Sequence, residues 1–280
     1  MKLKLVLGMF IFLTNVATVF SKVKQDRNIS YLENSKAEYN QLDIYYPENV
    51  SETKDVMVFI HGGSWNSGKK NTYWWLGRNM AGKNVVEVNI NYGLSPEFTY
   101  EQMATDCAAA LKWVKNNIEK YGGNTSRIFV MGHSAGGHLA SLIDNDPRFF
   151  EAQGIENPIH AVILNDGFGL DMNEYLNHAE QNDQTTSFLR TFSKDPETWT
   201  KGSPLNYFEN FKRPYLILVG EKTYPAIKIQ SKRLYEKMGE KSLPVEYYMV
   251  CKKKHIGMIT QLILGGNEVY NTILNFMRSN

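Results

Sequence analysis

Gly132-His133-Ser134-Ala135-Gly136-Gly137 follows directly on Arg127-Ile128-Phe129-Val130-Met131 and runs into Leu139, Leu142 and Ile143. A short apolar run suits a strand buried on both faces, and leucines at spacings of three to four suit a helix. The glycine-flanked serine therefore lies on a strand-to-helix turn. A nucleophile needs such a turn: the backbone is sharply bent, the hydroxyl stands clear of the sheet, and the amino end of the next helix favours developing negative charge. Without that context Gly-x-Ser-x-Gly is a weak pattern, and its plain alternative is a structural Gly/Ser turn.

Working outward, Gln41–Tyr46 alternates and stops at Pro47, while Val56–Ile60 and Val85–Ile90 are further apolar runs. Met103, Cys107, Leu111, Val114 and Ile118 trace one face of a helix that Gly122-Gly123 ends. Ala161–Leu164, Tyr215–Val219 and Val245–Val250 read as strands, Ile227–Met238 as a helix, and Val269, Ile273 and Phe276 mark a closing helix. Strands alternating with helices predict an α/β fold with a mostly parallel sheet covered on both faces, whose chemistry gathers at the carboxyl ends of the strands.

His61-Gly62-Gly63-Ser64-Trp65 follows the Val56–Ile60 strand. Glycines there let backbone N–H groups approach a substrate oxygen. Gly62 and Gly63, with the N–H of Ala135, are the candidate oxyanion hole. Of six histidines, His61, His133 and His138 belong to the two glycine motifs or the helix after Ser134. His160 opens a strand and His178 lies in a long insertion. Only His255 follows the last strand, where the base of an elbow serine belongs in chain order.

With these residues the chain resembles the kynurenine formamidase and carboxylesterase branch of the α/β-hydrolases, including acetyl-xylan and feruloyl esterase-like members. His61–Gly68, Gly132–Ala140, Pro225 with Gln230-Ser231, and His255–Leu264 carry the likeness, which runs from about Tyr39 to the C-terminus. The resemblance implies an α/β-hydrolase fold with a small cap insertion (about 167–210) and Ser-His-acid acyl transfer without metal or organic cofactor. It also implies a carboxylic acid three residues after the glycine that ends the penultimate strand. That position is Thr223, which cannot carry the charge that steadies an imidazolium. Asp166, at the end of the preceding strand, is the first candidate to replace it. Glu221, beside the vacated position, is the alternative, and Asp171 is a distant third.

The chain has 280 residues with 42% apolar and 21% charged content and net charge +2. That suits one globular domain over 22–280 and gives no electrostatic argument for a nucleic-acid partner. Lys2 and Lys4 before an apolar run from Leu5 to Phe20, and small residues near Ser21, read as a signal peptide over 1–21 rather than a membrane anchor. A secreted or periplasmic enzyme is expected. Cys107 and Cys251 are read as two buried thiols. Phe168, Tyr175, Phe188, Phe192 and Trp199 in the insertion, and Tyr73, Trp74 and Trp75 after the oxyanion loop, are candidates for packing or for lining an acyl or aryl pocket. The expected substrate is a small-molecule or carbohydrate-linked ester. A formamidase-type amide hydrolase and a catalytically dead binding scaffold are the competing readings.

Overall fold

The computed structural model describes residues 22–48 and 52–280; the expected leader, residues 1–21, lies outside them. Eight strands form one sheet: β1 (Val23–Ser30), β2 (Gln41–Pro47), β3 (Lys54–Ile60), β4 (Val86–Ile90), β5 (Gly123–His133), β6 (Ile159–Asn165), β7 (Tyr215–Gly220) and β8 (Val245–Val250). Their spatial order is β1-β2-β4-β3-β5-β6-β7-β8. The first two strands run antiparallel, and every pair from β4 to β8 is parallel. The helices are α1 (Trp74–Ala81), α2 (Tyr100–Asn117), α3 (Ala135–Asn145), α4 (Arg148–Ala152), α5 (Met172–His178), α6 (Asp183–Phe192), α7 (Pro196–Lys201), α8 (Pro225–Glu240), α9 (His255–Thr260) and α10 (Glu268–Ser279).

The apolar runs form these strands because both sheet faces are buried. Val56, Val58 and Ile60 of β3, Ile128 and Val130 of β5, and Ile217 and Val219 of β7 enter one core with α2, α3 and α8. The alternate residues, Met57, Phe59, Phe129, Met131, Leu216 and Leu218, enter a second core with α1 and α10. Burying one such side chain contributes about 1.5–3 kcal/mol. The central strands are thus fixed from above and below, and their carboxyl ends become a rigid rim.

One expectation, that both cysteines are buried, needs revision, and two features lie beyond the sequence reading. β1 (VKQDRNIS) is largely exposed and was not foreseen, because a polar edge strand carries no apolar alternation. α2 begins at Tyr100, where Thr99 and Gln102 form a capping box. Cys107 is buried but Cys251 is exposed: it stands in the turn after β8, an edge strand with only one neighbour. Both thiols are free.

The antiparallel end of the sheet holds three buried ionisable side chains, Asp43, Lys70 and Glu87, with different solutions. Lys70 Nζ donates to Asp43 Oδ1 at 2.6 Å, to Asn28 Oδ1 at 2.6 Å and to Asn71 Oδ1 at 2.9 Å. This pins the turn that presents Tyr73, and losing one partner of such a pair typically costs about 3–5 kcal/mol. Glu87 on β4 is fully buried, and neither carboxylate oxygen has a partner. Burial first, and the nearby Asp43 second, push its carboxyl well above the usual range, so it folds protonated.

A raised folded-state value means that folding takes up a proton once the unfolded carboxyl ionises. The contribution of Glu87 is complete below about 4.5 and is lost as pH rises toward its folded value. Glu87→Gln is expected to raise the thermal midpoint at pH 7.5 by about 2–4 °C and to leave it unchanged at pH 4. Thermal melts of both proteins across that range check this, and a variant equally destabilised at both pH values contradicts it.

Candidate active site

β5 ends in the serine turn. Ser134 has φ 54° and ψ −121°, a conformation that costs a non-glycine residue about 1–3 kcal/mol. The surroundings enforce it. Gly136 lies so close to β3 that a Cβ there would sit 2.0 Å from the Ile60 carbonyl oxygen. Phe168 N–H and Gly137 N–H both donate to the Ser134 carbonyl, at 3.1 and 2.9 Å. The turn is thereby clamped between β3, the start of the β6–β7 connection and α3. Ser134 itself is 8% exposed.

β6 ends one residue before Asp166, which also has a left-handed backbone (φ 54°) and is completely buried. α9 begins at His255, after the loop that follows β8. The three meet at one rim. Ser134 Oγ donates to His255 Nε2 at 2.8 Å, and His255 Nδ1 donates to Asp166 Oδ2 at 2.7 Å. Gly220 N–H donates to Asp166 Oδ1 at 2.8 Å, and the Thr223 hydroxyl donates to Asp166 Oδ2.

Glu221, the alternative acid, is not part of this contact. Its side chain turns outward and accepts from Lys252 N–H and Cys251 Sγ. The Lys252 N–H holds its carboxyl below the usual range. The backbone of the turn after β7 points Thr223, not Glu221, at the rim. Asp171 caps α5 by accepting Glu174 N–H at 2.8 Å and pairs with Arg233, so it shapes the insertion.

The glycines of the first motif also reach the serine. A Cβ on Gly62 would lie 3.1 Å from Ser134 Cβ. Gly63 has φ +127°, and a Cβ there would meet the Ser67 carbonyl oxygen at 2.1 Å. Gly63 lines the same cavity as Ser134, and Ala135 follows the serine as the first residue of α3.

Three other histidines frame the site as neutral hydrogen-bonding parts. His133 stacks on His255, with ring centroids 4.9 Å apart, and its Nε2–H donates to the His255 carbonyl at 3.2 Å. Burial first, then the neighbouring His255, lower it to about 3. His138 takes an indole N–H from Trp65 on Nδ1 at 3.2 Å and donates Nε2–H to the Gly202 carbonyl at 2.6 Å. It ties the loop carrying Trp65, α3 and the insertion together, and burial lowers it to about 4. His61 donates Nδ1–H to the Gly62 carbonyl at 2.8 Å, and burial lowers it to about 4.

A cavity of about 640 Å³ opens over Ser134 and His255. Phe168, Tyr175 and Phe188 from the insertion form one wall; Tyr73, Trp75 and Ile259 lie on its lining as well. Trp74, grouped with them from sequence, is half exposed and does not line the cavity. Phe192 packs instead on Trp65 and Tyr100, and Trp199 donates its indole N–H to the Ser193 carbonyl. Sequence reasoning missed Tyr224, Ile256 and Ile263, which also line the cavity; their closeness to Thr223 and His255 in the chain was the available signal.

His61, His133 and His138 all have folded values below the free-histidine range. The unfolded chain binds protons on them between about 6.5 and 4 that the folded chain does not. Their stabilising contribution is present above about 6.5 and lost as pH falls toward 4. His138→Gln removes one of the three. Its unfolding free energy is expected to fall less steeply than wild type between pH 6.5 and 4.5, by up to about 1.4 kcal/mol per pH unit. Denaturant titrations at several pH values test this; parallel curves contradict it.

Comparison with known proteins places these features. The chain is 24% identical over 282 residues to isoprenylcysteine alpha-carbonyl methylesterase ICME of Arabidopsis thaliana, covering 96% of this chain and 65% of that protein. It is 38% identical over 101 residues to carboxylesterase NlhH of Mycobacterium tuberculosis, covering 36% of this chain and 32% of that one. The chain thus spans less than two thirds of the length of these curated relatives. Among solved structures, a truncated carbohydrate esterase from gut microbiota superimposes with TM-score 0.78 at 21% identity, covering 93% of this chain and 96% of that one. Esterase B from Lactobacillus rhamnosis gives TM-score 0.75 at 20% identity, covering 92% and 87%. These likenesses show the α/β-hydrolase fold. The BD-FAE family model matches residues 42–238, most of the described chain, and the protein belongs to the BD-FAE family.

Proposed function

We propose that the protein is a serine carboxylesterase acting through Ser134, His255 and Asp166. The observation that carries this is the unbroken chain of hydrogen bonds from the Ser134 hydroxyl through the His255 ring to the buried Asp166 carboxylate, opening on an apolar cavity. His255 Nε2 takes the serine proton as Oγ attacks the ester carbonyl. Asp166 keeps Nδ1 protonated and steadies the imidazolium. The N–H groups of Gly63 and Ala135, with Gly62 close by, meet the oxyanion; losing one such donor typically costs on the order of 100- to 1,000-fold in rate. His255 then protonates the departing alcohol, and water, deprotonated by the same ring, releases the acid. The names of the relatives, methylesterase and carboxylesterase, support the reaction class. A carboxylate on the imidazole favours an enzyme over a dead scaffold.

The cavity lining favours neutral substrates. Among the described residues it is lined by no Lys, Arg, Asp or Glu, so a charged group entering it would lose its hydration without a partner. That favours neutral esters over N-formylkynurenine, whose amino-acid end is zwitterionic. Thr72, Gln184 and Thr260 on the lining offer polar contacts to an alcohol group such as a sugar, which supports carbohydrate-linked esters within the class. We propose export as well, on the basic and apolar pattern of residues 1–21. No helix among the described residues is long and apolar enough to cross a membrane.

A fluorophosphonate probe is expected to label wild type and not Ser134→Ala, which should lose on the order of a millionfold in kcat. Methyl ferulate, p-nitrophenyl acetate and acetylated xylan, compared with N-formylkynurenine, should give kcat/KM values on the order of 100-fold higher for the neutral esters. Unlabelled, folded wild type overturns the enzyme reading. A preference for the formamide overturns the substrate reading.

A further inference from the structure

Thr223 stands in the turn after β7, is 9% exposed, and aims its hydroxyl at the carboxylate oxygen that also holds His255. We infer that Thr223 is a positioning residue for Asp166, and that the turn from Gly220 to Thr223 is a bracket fixing acid and base relative to each other. The inference rests on the triad proposed above.

Asp166 has no freedom to serve His255 alone. Its Oδ1 accepts Gly220 N–H, and its Oδ2 accepts both the Thr223 hydroxyl and the imidazole. Two donors from one turn, on different oxygens, stop the carboxyl from rotating about its Cβ–Cγ bond. The lone pair facing Nδ1 therefore stays in line with the ring. The same turn grips the loop that carries the base. Glu221 N–H donates to the Val250 carbonyl at 3.0 Å, and Lys222 N–H donates to the Lys253 carbonyl at 2.8 Å, two residues before His255. Thr223 N–H closes the turn on the Gly220 carbonyl at 3.1 Å.

The turn thus holds Asp166 through side chain and backbone, and His255 through backbone alone. A hydroxyl is the right group at position 223. It can donate to a carboxylate already engaged by the ring, whereas a second carboxylate there would crowd like charge against Asp166. Removing the hydroxyl leaves the charges in place but frees the carboxyl to turn, so the loss falls on the chemical step rather than on substrate binding.

The test uses the full-length protein and a neutral ester such as p-nitrophenyl acetate. Thr223→Val keeps the shape and removes the donor. It is expected to lower kcat about 10- to 100-fold with KM unchanged and the thermal melt close to wild type. Thr223→Ser, which restores the donor, is expected to recover to within about 3-fold of wild type. Asp166→Gly, which suits the left-handed backbone, is expected to lose about 10,000-fold in kcat. Adding Thr223→Val to Asp166→Gly should change kcat less than about 2-fold, because the hydroxyl then has no carboxylate to hold.

Wild-type kcat in Thr223→Val, a serine variant as slow as the valine one, or an equal loss on both backgrounds overturns the inference. These outcomes leave the triad standing as long as Ser134→Ala and Asp166→Gly are inactive. Activity retained in either of those variants overturns the triad instead.

Discussion

The close approach of the β5–α3 turn to β3 is the constraint on which the rest of the site depends. Gly136 has no side chain because the Ile60 carbonyl occupies that space, and this contact sets Ser134 into its left-handed conformation. The same contact brings the Gly62-Gly63 segment, which continues β3, against Ser134 Cβ. Ser134 and the Gly62-Gly63 segment are therefore fixed by one packing event between neighbouring parallel strands. Apolar burial on both sheet faces stabilises that event, offsetting the local backbone strain.

Asp166 is fixed by the next strand along. β6 pairs with β5 so that Asn165 lies opposite His133, which puts Asp166 one residue beyond the rim, level with Ser134. Both residues leave the sheet with positive φ, so both side chains turn back over the strand ends toward His255. Only then does β7 matter: its terminal Gly220 and the turn after it close over Asp166 from the far side. The site is read across β3, β5, β6 and β7 in spatial order, and His255 arrives last, after β8.

Much of this was legible from sequence because the central strands are buried on both faces and therefore spell out continuous apolar runs. Val56–Ile60 and Arg127–Met131 could hardly be anything else, and the two glycine motifs attach to their ends. What was not legible depended on surroundings that periodicity does not encode. β1 is an exposed edge whose pairing comes from β2 alone. Cys251 sits in an exposed turn that an apolar preceding run disguised. The choice between Asp166 and Glu221 turned on which way one short turn faces: each lies one residue past the end of its strand, and only the backbone path from Gly220 to Thr223 leaves one facing inward and the other facing solvent. Thr223 looked like a loss because its type was compared with a carboxylate, whereas its hydroxyl contributes from the same place as a donor.

The histidines show how one site can hold several imidazoles with different partners. His133 directly precedes Ser134 in the chain and stacks on His255, yet its buried ring resists protonation, as do those of His61 and His138. Each has a ring N–H already committed to a backbone carbonyl. A neutral, committed ring neither competes for the serine proton nor adds positive charge beside an imidazolium. His255 differs in its partners: it has a carboxylate on one nitrogen and a hydroxyl on the other. Chain order singled it out in the sequence, and in the folded protein its two hydrogen-bond partners do.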